Sequence, residues 1–317
     1  MSGGFEARSA RTSTSGRTDS VAVVVVTYNR ADLLGRMLDG LAAQTHRPDA
    51  VYIIDNASTD HTREVLEHWH GGDLPLEVTH SPENLGGAGG FHLGLRRAYS
   101  DGFDRIWLMD DDVVPAPDCL AVLMARDEEC LMAVREDTAG RLVEKAALRF
   151  DLTNPLAIKP KTAMVETTYV TRAAMPERVE LQNVAFEGFL VHRSVIAQIG
   201  FPDPSYFIFY DDVDFALRAR RAGHRIWAVR DAVLVRQLDF DQQHDLGSWK
   251  GFFMYRNLFV VHLRYGENLL VRLKPWLITA VVVVLSPVRG GRGEASNVIR
   301  ALRAARGMRQ HPSSSVD

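Results

Sequence analysis

The run Val21–Thr27, VAVVVVT, restricts the fold more than any other stretch of the chain. It is apolar and β-branched without polar alternation and has polar neighbours, the pattern of a strand covered on both faces. A parallel sheet flanked by helices is therefore expected. Leu33, Leu34, Met37, Leu38 and Leu41 follow at helical spacing, with Asn29 and Asp32 available as caps. Val51–Asp55 reads as a second strand, and Asn56–Asp60 as the cap of a helix from about Thr62 to Trp69. Leu76–Thr79 reads as a short third strand, and Gly89–Tyr99 as a third helix feeding the strand that ends at Asp110. Strands alternating with helices imply an α/β fold built from right-handed βαβ units, with its ligand crevice beyond the carboxyl ends of the strands. Thr27, Asp55, Asn84 and the triplet Asp110, Asp111 and Asp112 all fall at that edge.

The segment Ile106–Val113 ends an apolar run in these three consecutive carboxylates. On an extended backbone Asp110 and Asp112 share one side and Asp111 takes the other. One or two carboxylates plus phosphate oxygens are enough to hold Mg²⁺ or Mn²⁺ against a diphosphate. A solvated acidic turn is the competing reading. Asp55 is placed to accept a hydrogen bond from a nucleoside base or ribose, or else to cap the next helix with Asn56 and Ser58. Asn84–Gly90, NLGGAGG, lacks the G-x-G-x-x-G spacing, but its glycines let backbone N–H groups approach an anion at a helix start. Tyr206–Tyr210 reads as an aromatic strand presenting Asp211 and Asp212, either of which suits a general base for a sugar hydroxyl. Asp214 is expected to support the start of the helix Phe215–Ala222, which Gly223 closes. In Trp249–Asn257 the aromatic faces suit sugars and Arg256 suits phosphate, against the alternative of a core helix with a salt bridge.

Residues 115 to 180 show less regular patterning, with a strand at Leu142–Arg149 and a loop at Pro155–Lys161. Phe186–Val191 reads as a strand and Ser194–Ile199 as a helix. Ile226–Val229 and Ala232–Val235 read as two further short strands. At 317 residues, 46% hydrophobic and 24% charged, the chain can bury one large core. The organisation expected is a disordered tail over residues 1–20, a catalytic domain over 21–265 and a C-terminal appendage over 266–317. The tail has no apolar segment of a signal peptide, so export is not expected. Cys119 and Cys130 are too few for a disulfide framework, which suits a reducing cytoplasm. The histidines form no zinc-binding pattern.

From Arg264 onward there are nine Lys/Arg against three Asp/Glu. A basic end beside an apolar run points to an anionic membrane surface; no nucleic-acid motif is present. Leu269–Val288 is apolar but broken by Arg272, Lys274, Pro275 and Pro287, and its core Trp276–Leu285 falls short of the roughly 20 residues of a spanning helix. An interfacial or re-entrant segment is expected, with a buried core helix as the competing reading. Arg300, Arg303, Arg306 and Arg309 recur at threes, a cationic face suited to lipid headgroups or simply to water.

Taken together, VVVVTYNR (23–30), IIDNASTD (53–60), ENLGGAGGF (83–91), WLMDDDVVP (107–115) and FIFYDDVDFALRARRAG (207–223) resemble the GT-A, family 2 inverting glycosyltransferases. With SWKGFFMYRN (248–257) they are most similar to the actinobacterial galactofuranosyltransferases, which build cell-wall galactan on a polyprenyl diphosphate-linked acceptor. The resemblance covers roughly residues 20 to 265. It implies a GT-A fold, a mixed and mostly parallel sheet flanked by helices, with the appendage at the membrane interface. Thr27, Arg30, Asp55 and Asn84 would line a UDP site, Asp110 and Asp112 would hold Mg²⁺ or Mn²⁺, and Asp111 would lie beside the sugar or diphosphate. Asp212 would deprotonate the acceptor hydroxyl. The implied partners are a UDP-sugar donor, a lipid-linked glycan acceptor and the inner face of the plasma membrane. The family pattern places a metal-binding His just after Ala232–Val235, where this chain has Arg236 and Gln237; Arg236 or His244 is expected to stand in. A dTDP-rhamnose-dependent rhamnosyltransferase and a catalytically silent sugar-nucleotide binder are the alternatives.

Overall fold

The computed structural model describes residues 19–157, 159–238, 246–289 and 292–308. The expected tail, His244 and Arg309 fall outside these segments. The elements run β1 (Val21–Thr27), α1 (Ala31–Ala42), β2 (Ala50–Asp55), α2 (Thr62–His68), β3 (Leu76–His80), α3 (Gly86–Ser100), β4 (Arg105–Asp110) and β5 (Val113–Pro115). They continue with α4 (Cys119–Met124), β6 (Cys130–Glu136), β7 (Ala147–Phe150), β8 (Lys161–Met164), α5 (Val165–Tyr169), β9 (Arg178–Leu181), β10 (Phe189–His192) and α6 (Arg193–Ile199). The last five are α7 (Asp211–Arg221), β11 (Ile226–Arg236), α8 (Trp249–Tyr265), α9 (Leu269–Arg289) and α10 (Arg292–Gly307).

A nine-stranded mixed sheet forms the centre, in the order β3-β2-β1-β4-β10-β6-β11-β5, with β9 also paired to β11. Strands β1 to β4, β6 and β11 run in one direction, and β5, β9 and β10 oppose them. β1 is buried along its whole length, as its β-branched run requires. Alternate residues of β1 face two cores, Val24 and Val26 toward α3 and Val23 and Val25 toward α1. β7 and β8 form a separate hairpin-like pair.

The strand expected at Leu142–Arg149 is confined to β7, with Leu142 in an isolated bridge to Glu136. Asn29 does not cap α1: it turns left-handed at φ 54°, and the first amide of α1, on Ala31, donates to Asp60 from the next crossover loop. The strands expected at 226–229 and 232–235 are one strand, β11, whose register shifts between Val229 and Val233. The aromatic strand Tyr206–Tyr210 is instead a 3₁₀ turn followed by a strained loop, with φ of 63° at Phe207 and 67° at both Phe209 and Tyr210.

Residues 269–289 form a single 21-residue helix that runs through Pro275. Its stretch Leu269–Ser286 is long and apolar enough to cross a bilayer by length and composition. α8, α9 and α10 pack together through Phe259, Val260, Val282, Val298 and Ala301, a cluster that also takes in Tyr206 and Ala88 from the sheet side. Lys274 is nearly fully buried and donates to the carbonyls of Asn154 and Ala157, strapping the 151–157 loop to α9.

Candidate active site

β1 and β4 pair in parallel with Val26 opposite Asp110, so Thr27 and the acidic triplet leave the sheet side by side. The triplet turns directly into β5, whose Val113 pairs with Arg236 at the end of β11. The Gln237 amide fixes that turn by donating to the Asp112 carbonyl at 2.8 Å.

The three acids have different surroundings. Asp111 is buried and accepts from Thr27 Oγ1 at 2.8 Å and from Arg30 Nη1 at 2.9 Å. Asp112 Oδ2 accepts from Arg30 Nη1 at 3.2 Å and lies 4.0 Å from Arg236 Nη2. Asp112 Oδ1 is buried without a hydrogen-bond partner. Asp110 is half-buried, and burial together with the charges of Glu187, Asp112 and Asp111 pushes its pKa well above the usual carboxylate range. Burial and Glu187 also raise Asp112, against Arg30, Arg236 and Arg135.

Among the described residues no group of three or more His, Cys, Asp or Glu is arranged to hold a metal ion. Two carboxylates remain, one carrying an orphaned buried oxygen and the other resisting ionisation among like charges. That set fits a divalent cation whose remaining ligands come from a diphosphate and water. Arg236 faces Asp112 and, at 3.9 Å, Glu187.

Asp55 ends β2 directly opposite Thr27, and Asn84 lies in the segment between β3 and α3. Both Asp55 oxygens are engaged, one by the Ser58 amide at 2.9 Å and one by His80 Nδ1 at 2.8 Å. Burial alone would raise its pKa, but Ser58 and His80 hold it below the usual value. The exposed Asn84 turns back to accept from the Gly86 amide, and α3 starts there rather than at Gly89. The glycines of this segment serve packing as much as openness. A Cβ on Gly90 would stand 2.5 Å from Val26, and one on Gly86, at φ +70°, would stand 2.1 Å from the Phe207 carbonyl oxygen. Gly87 faces open space.

Asp211 and Asp212 begin α7, where helix N–H groups favour negative charge. Burial and then Asp212 push Asp211 well above the carboxylate range. Asp212 is pushed up to about 6, chiefly by burial and in the same direction by Glu187, with Lys161, the Val213 amide and Arg135 opposing. A carboxylate in that range is a usable proton acceptor near neutral pH. Asp214 does more than support the helix start. It is fully buried and accepts from Tyr206 Oη, Tyr265 Oη, Arg218 and Arg264, which anchors α7.

Arg256 is not poised for phosphate. It donates to the carbonyls of Ser205 and Tyr206, and the neighbouring Asn257 donates to those of Tyr206, Ile208 and Phe209. Left-handed conformations of bulky residues cost on the order of 1–3 kcal/mol each and persist only when surrounding bonds over-determine them.

Three contributors escape a sequence reading. Glu187 sits among Asp110, Asp112 and Asp212, and Arg135 and Arg236 hold it charged against burial. Arg135 is fully engaged with Glu144 at 2.8 Å and 3.0 Å and with Glu187. Lys161, at the start of β8, lies near enough to Asp212 to lower its pKa. The available signal was a lone Glu inside the apolar run Phe186–Val191.

Residues 22–137 match the family model described as Glycosyl transferase family 2. The chain is 33% identical over 253 residues to the galactofuranosyltransferase GlfT1 of Mycobacterium tuberculosis, covering 76% of this chain and 81% of the relative. It is 30% identical over 254 residues to GlfT1 of Mycolicibacterium smegmatis, covering 76% and 82%. A mannosyltransferase from Pyrobaculum calidifontis, solved with GDP-mannose and Mn²⁺, superposes with a TM-score of 0.55 at 18% identity, over 92% of this chain and 87% of that one. This likeness identifies the fold as GT-A.

Proposed function

Because this chain belongs to glycosyl transferase family 2, we propose that it moves galactofuranose from UDP-galactofuranose to a polyprenyl-linked cell-wall glycan, with inversion, at the cytoplasmic face of the membrane. The observation that carries the chemistry is that Glu187 lies close enough to act on both the Asp110 and Asp112 pair, one of whose buried oxygens has no hydrogen-bond partner, and on Asp212, a separate carboxylate with its pKa raised to about 6. The galactofuranosyl donor and lipid-linked acceptor rest on the likeness to the mycobacterial relatives.

In this reading Thr27 and Arg30 orient Asp111 at the floor of the donor site, while Asp55 and Asn84 border the nucleoside end. A divalent cation held by Asp110 and Asp112 would neutralise charge developing on the diphosphate. Arg30 and Arg236 add fixed positive charge beside it. Asp212 accepts the proton of the acceptor hydroxyl as its oxygen bonds to the anomeric carbon. The bond from that carbon to the diphosphate breaks on the opposite side, and UDP leaves with the electron pair.

The membrane reading is supported by the outer face of α9. Leu270 and Leu277 are each 61% exposed and Val284 74% exposed, with Trp276 among them. Arg300, Arg303 and Arg306 of α10 are also exposed, which suits anionic headgroups.

The test is transfer by the purified protein with UDP-galactofuranose and a polyprenyl diphosphate-linked acceptor, beside UDP-galactopyranose and dTDP-rhamnose. Turnover of UDP-galactofuranose in preference to the others is expected. Preferential turnover of dTDP-rhamnose would reassign the donor.

A further inference from the structure

The loop 205–210 delivers the chain to Asp211 and Asp212 through three left-handed, non-glycine residues, Phe207, Phe209 and Tyr210. Apart from a bond of the Ile208 amide to the Tyr206 carbonyl at 2.7 Å, its carbonyls are held from outside the loop. Arg256 takes Ser205 and Tyr206 at 2.8 and 2.7 Å, and the Ala88 amide at the start of α3 takes Phe207 at 3.1 Å. Asn257 Nδ2 takes Tyr206, Ile208 and Phe209 at 3.0, 2.7 and 2.8 Å. The Tyr210 carbonyl accepts the Asp214 amide as α7 begins.

Asn257 is fully buried, and its orientation is set because its Oδ1 accepts from Arg256 Nε at 2.8 Å. An amide nitrogen has two hydrogens, so here they are shared among three carbonyls that converge only in this loop conformation. An apolar residue at 257 would leave these acceptors without that donor, and the loop would relax toward ordinary backbone angles.

We infer that Asn257, assisted by Arg256, is a positioning residue that aims Asp212 by holding the strained loop preceding it. The inference rests on the assignment of Asp212 as base. It is distinct from a general packing role because α7 has its own anchor, the buried Asp214 with its tyrosine and arginine donors. Loss of the Asn257 amide should loosen the loop and the backbone at Asp211 and Asp212, ahead of that anchor, and leave Asp214 and the helix beyond it in place. α8 packs against α10 through a cluster that includes Phe259, Val260, Val298 and Ala301, so the clamp stands on a packed support.

The experiment compares wild type with Asn257→Ala, with turnover normalised to the number of UDP-binding sites measured by calorimetry. Normalisation removes any loss from unfolded protein. The expected result is a fall in kcat of about 10- to 100-fold, since small misplacements of a reacting group have effects of that order. Donor KM and UDP affinity should stay within about threefold, because the donor's residues lie on other elements. Unchanged kcat per UDP site, whatever the change in thermal midpoint, overturns the inference. If Asn257→Ala yields no protein that binds UDP, Arg256→Ala decides by the same ratio: a several-fold lower kcat supports the clamp and an unchanged one removes it. Failure of the wild type to transfer sugar would instead count against the assignment of function.

Discussion

At Asp212 the surroundings set a pH dependence. Its pKa is raised to about 6, so the ionised base is lost as pH falls through that value, and kcat at saturating donor should fall with it. Asp212→Asn should lower kcat by about 10²- to 10⁴-fold while UDP still binds; unchanged turnover would remove Asp212 as base. Its neighbour Asp211 provides a stability test. Burial raises its folded-state pKa above the unfolded value, so its charge subtracts from stability near neutral pH, and the effect is lost only well below the unfolded value of about 3.9, where both states are protonated. Asp211→Asn should therefore raise the thermal midpoint at neutral pH, with the gain vanishing in acid. A lower midpoint at neutral pH would show that the charge is compensated. The acidic residues were legible from sequence because they interrupt apolar runs. Glu187, Arg135 and Lys161 were not, since they come from just before β10, from β6 and from the start of β8, across stretches with no clear period.

On the scale of elements, α3 lies against β1 because glycines remove the side chains between them. A Cβ on Gly94 would stand 2.4 Å from Val24 Cγ1 and 3.2 Å from Ile54 Cγ1. Gly94→Ala should destabilise the protein by about 1–3 kcal/mol, read from chemical denaturation, with activity per folded molecule little changed. Gly86→Ala meets the Phe207 carbonyl and should depress activity more than stability, because that carbonyl belongs to the loop before Asp212. The first strands and helices were readable because burial on both faces imposes continuous apolar runs and burial on one face imposes helical spacing. Loop 205–210 was misread as a strand for a physical reason: its aromatics match strand propensity, while the donors that hold it left-handed come from α8, about fifty residues later. α9 was read as interrupted because prolines break isolated helices. Here packing against α8 and α10 and the Lys274 strap hold the helix through Pro275.

For the molecule as a whole, α8 links the crevice to the exposed apolar face of α9. Removing everything after residue 265 would uncover Phe259, Val260 and Leu263, so truncation confounds membrane binding with unfolding. Leu270→Glu combined with Leu277→Glu alters only exposed positions. The pair should abolish sedimentation with anionic vesicles at an unchanged thermal midpoint, and undiminished sedimentation would remove α9 as the contact. In the proposed reaction the Asp110 and Asp112 edge and Asp212 together would perform metal-assisted transfer of galactofuranose. The most direct measurement follows UDP release and the anomeric configuration of the product from UDP-galactofuranose and a polyprenyl-linked acceptor, with Mn²⁺, Mg²⁺ or EDTA. An inverted glycoside formed with a divalent cation and lost in EDTA is expected. Retention of configuration, turnover indifferent to EDTA, or no turnover by protein that binds UDP and both metals would contradict it.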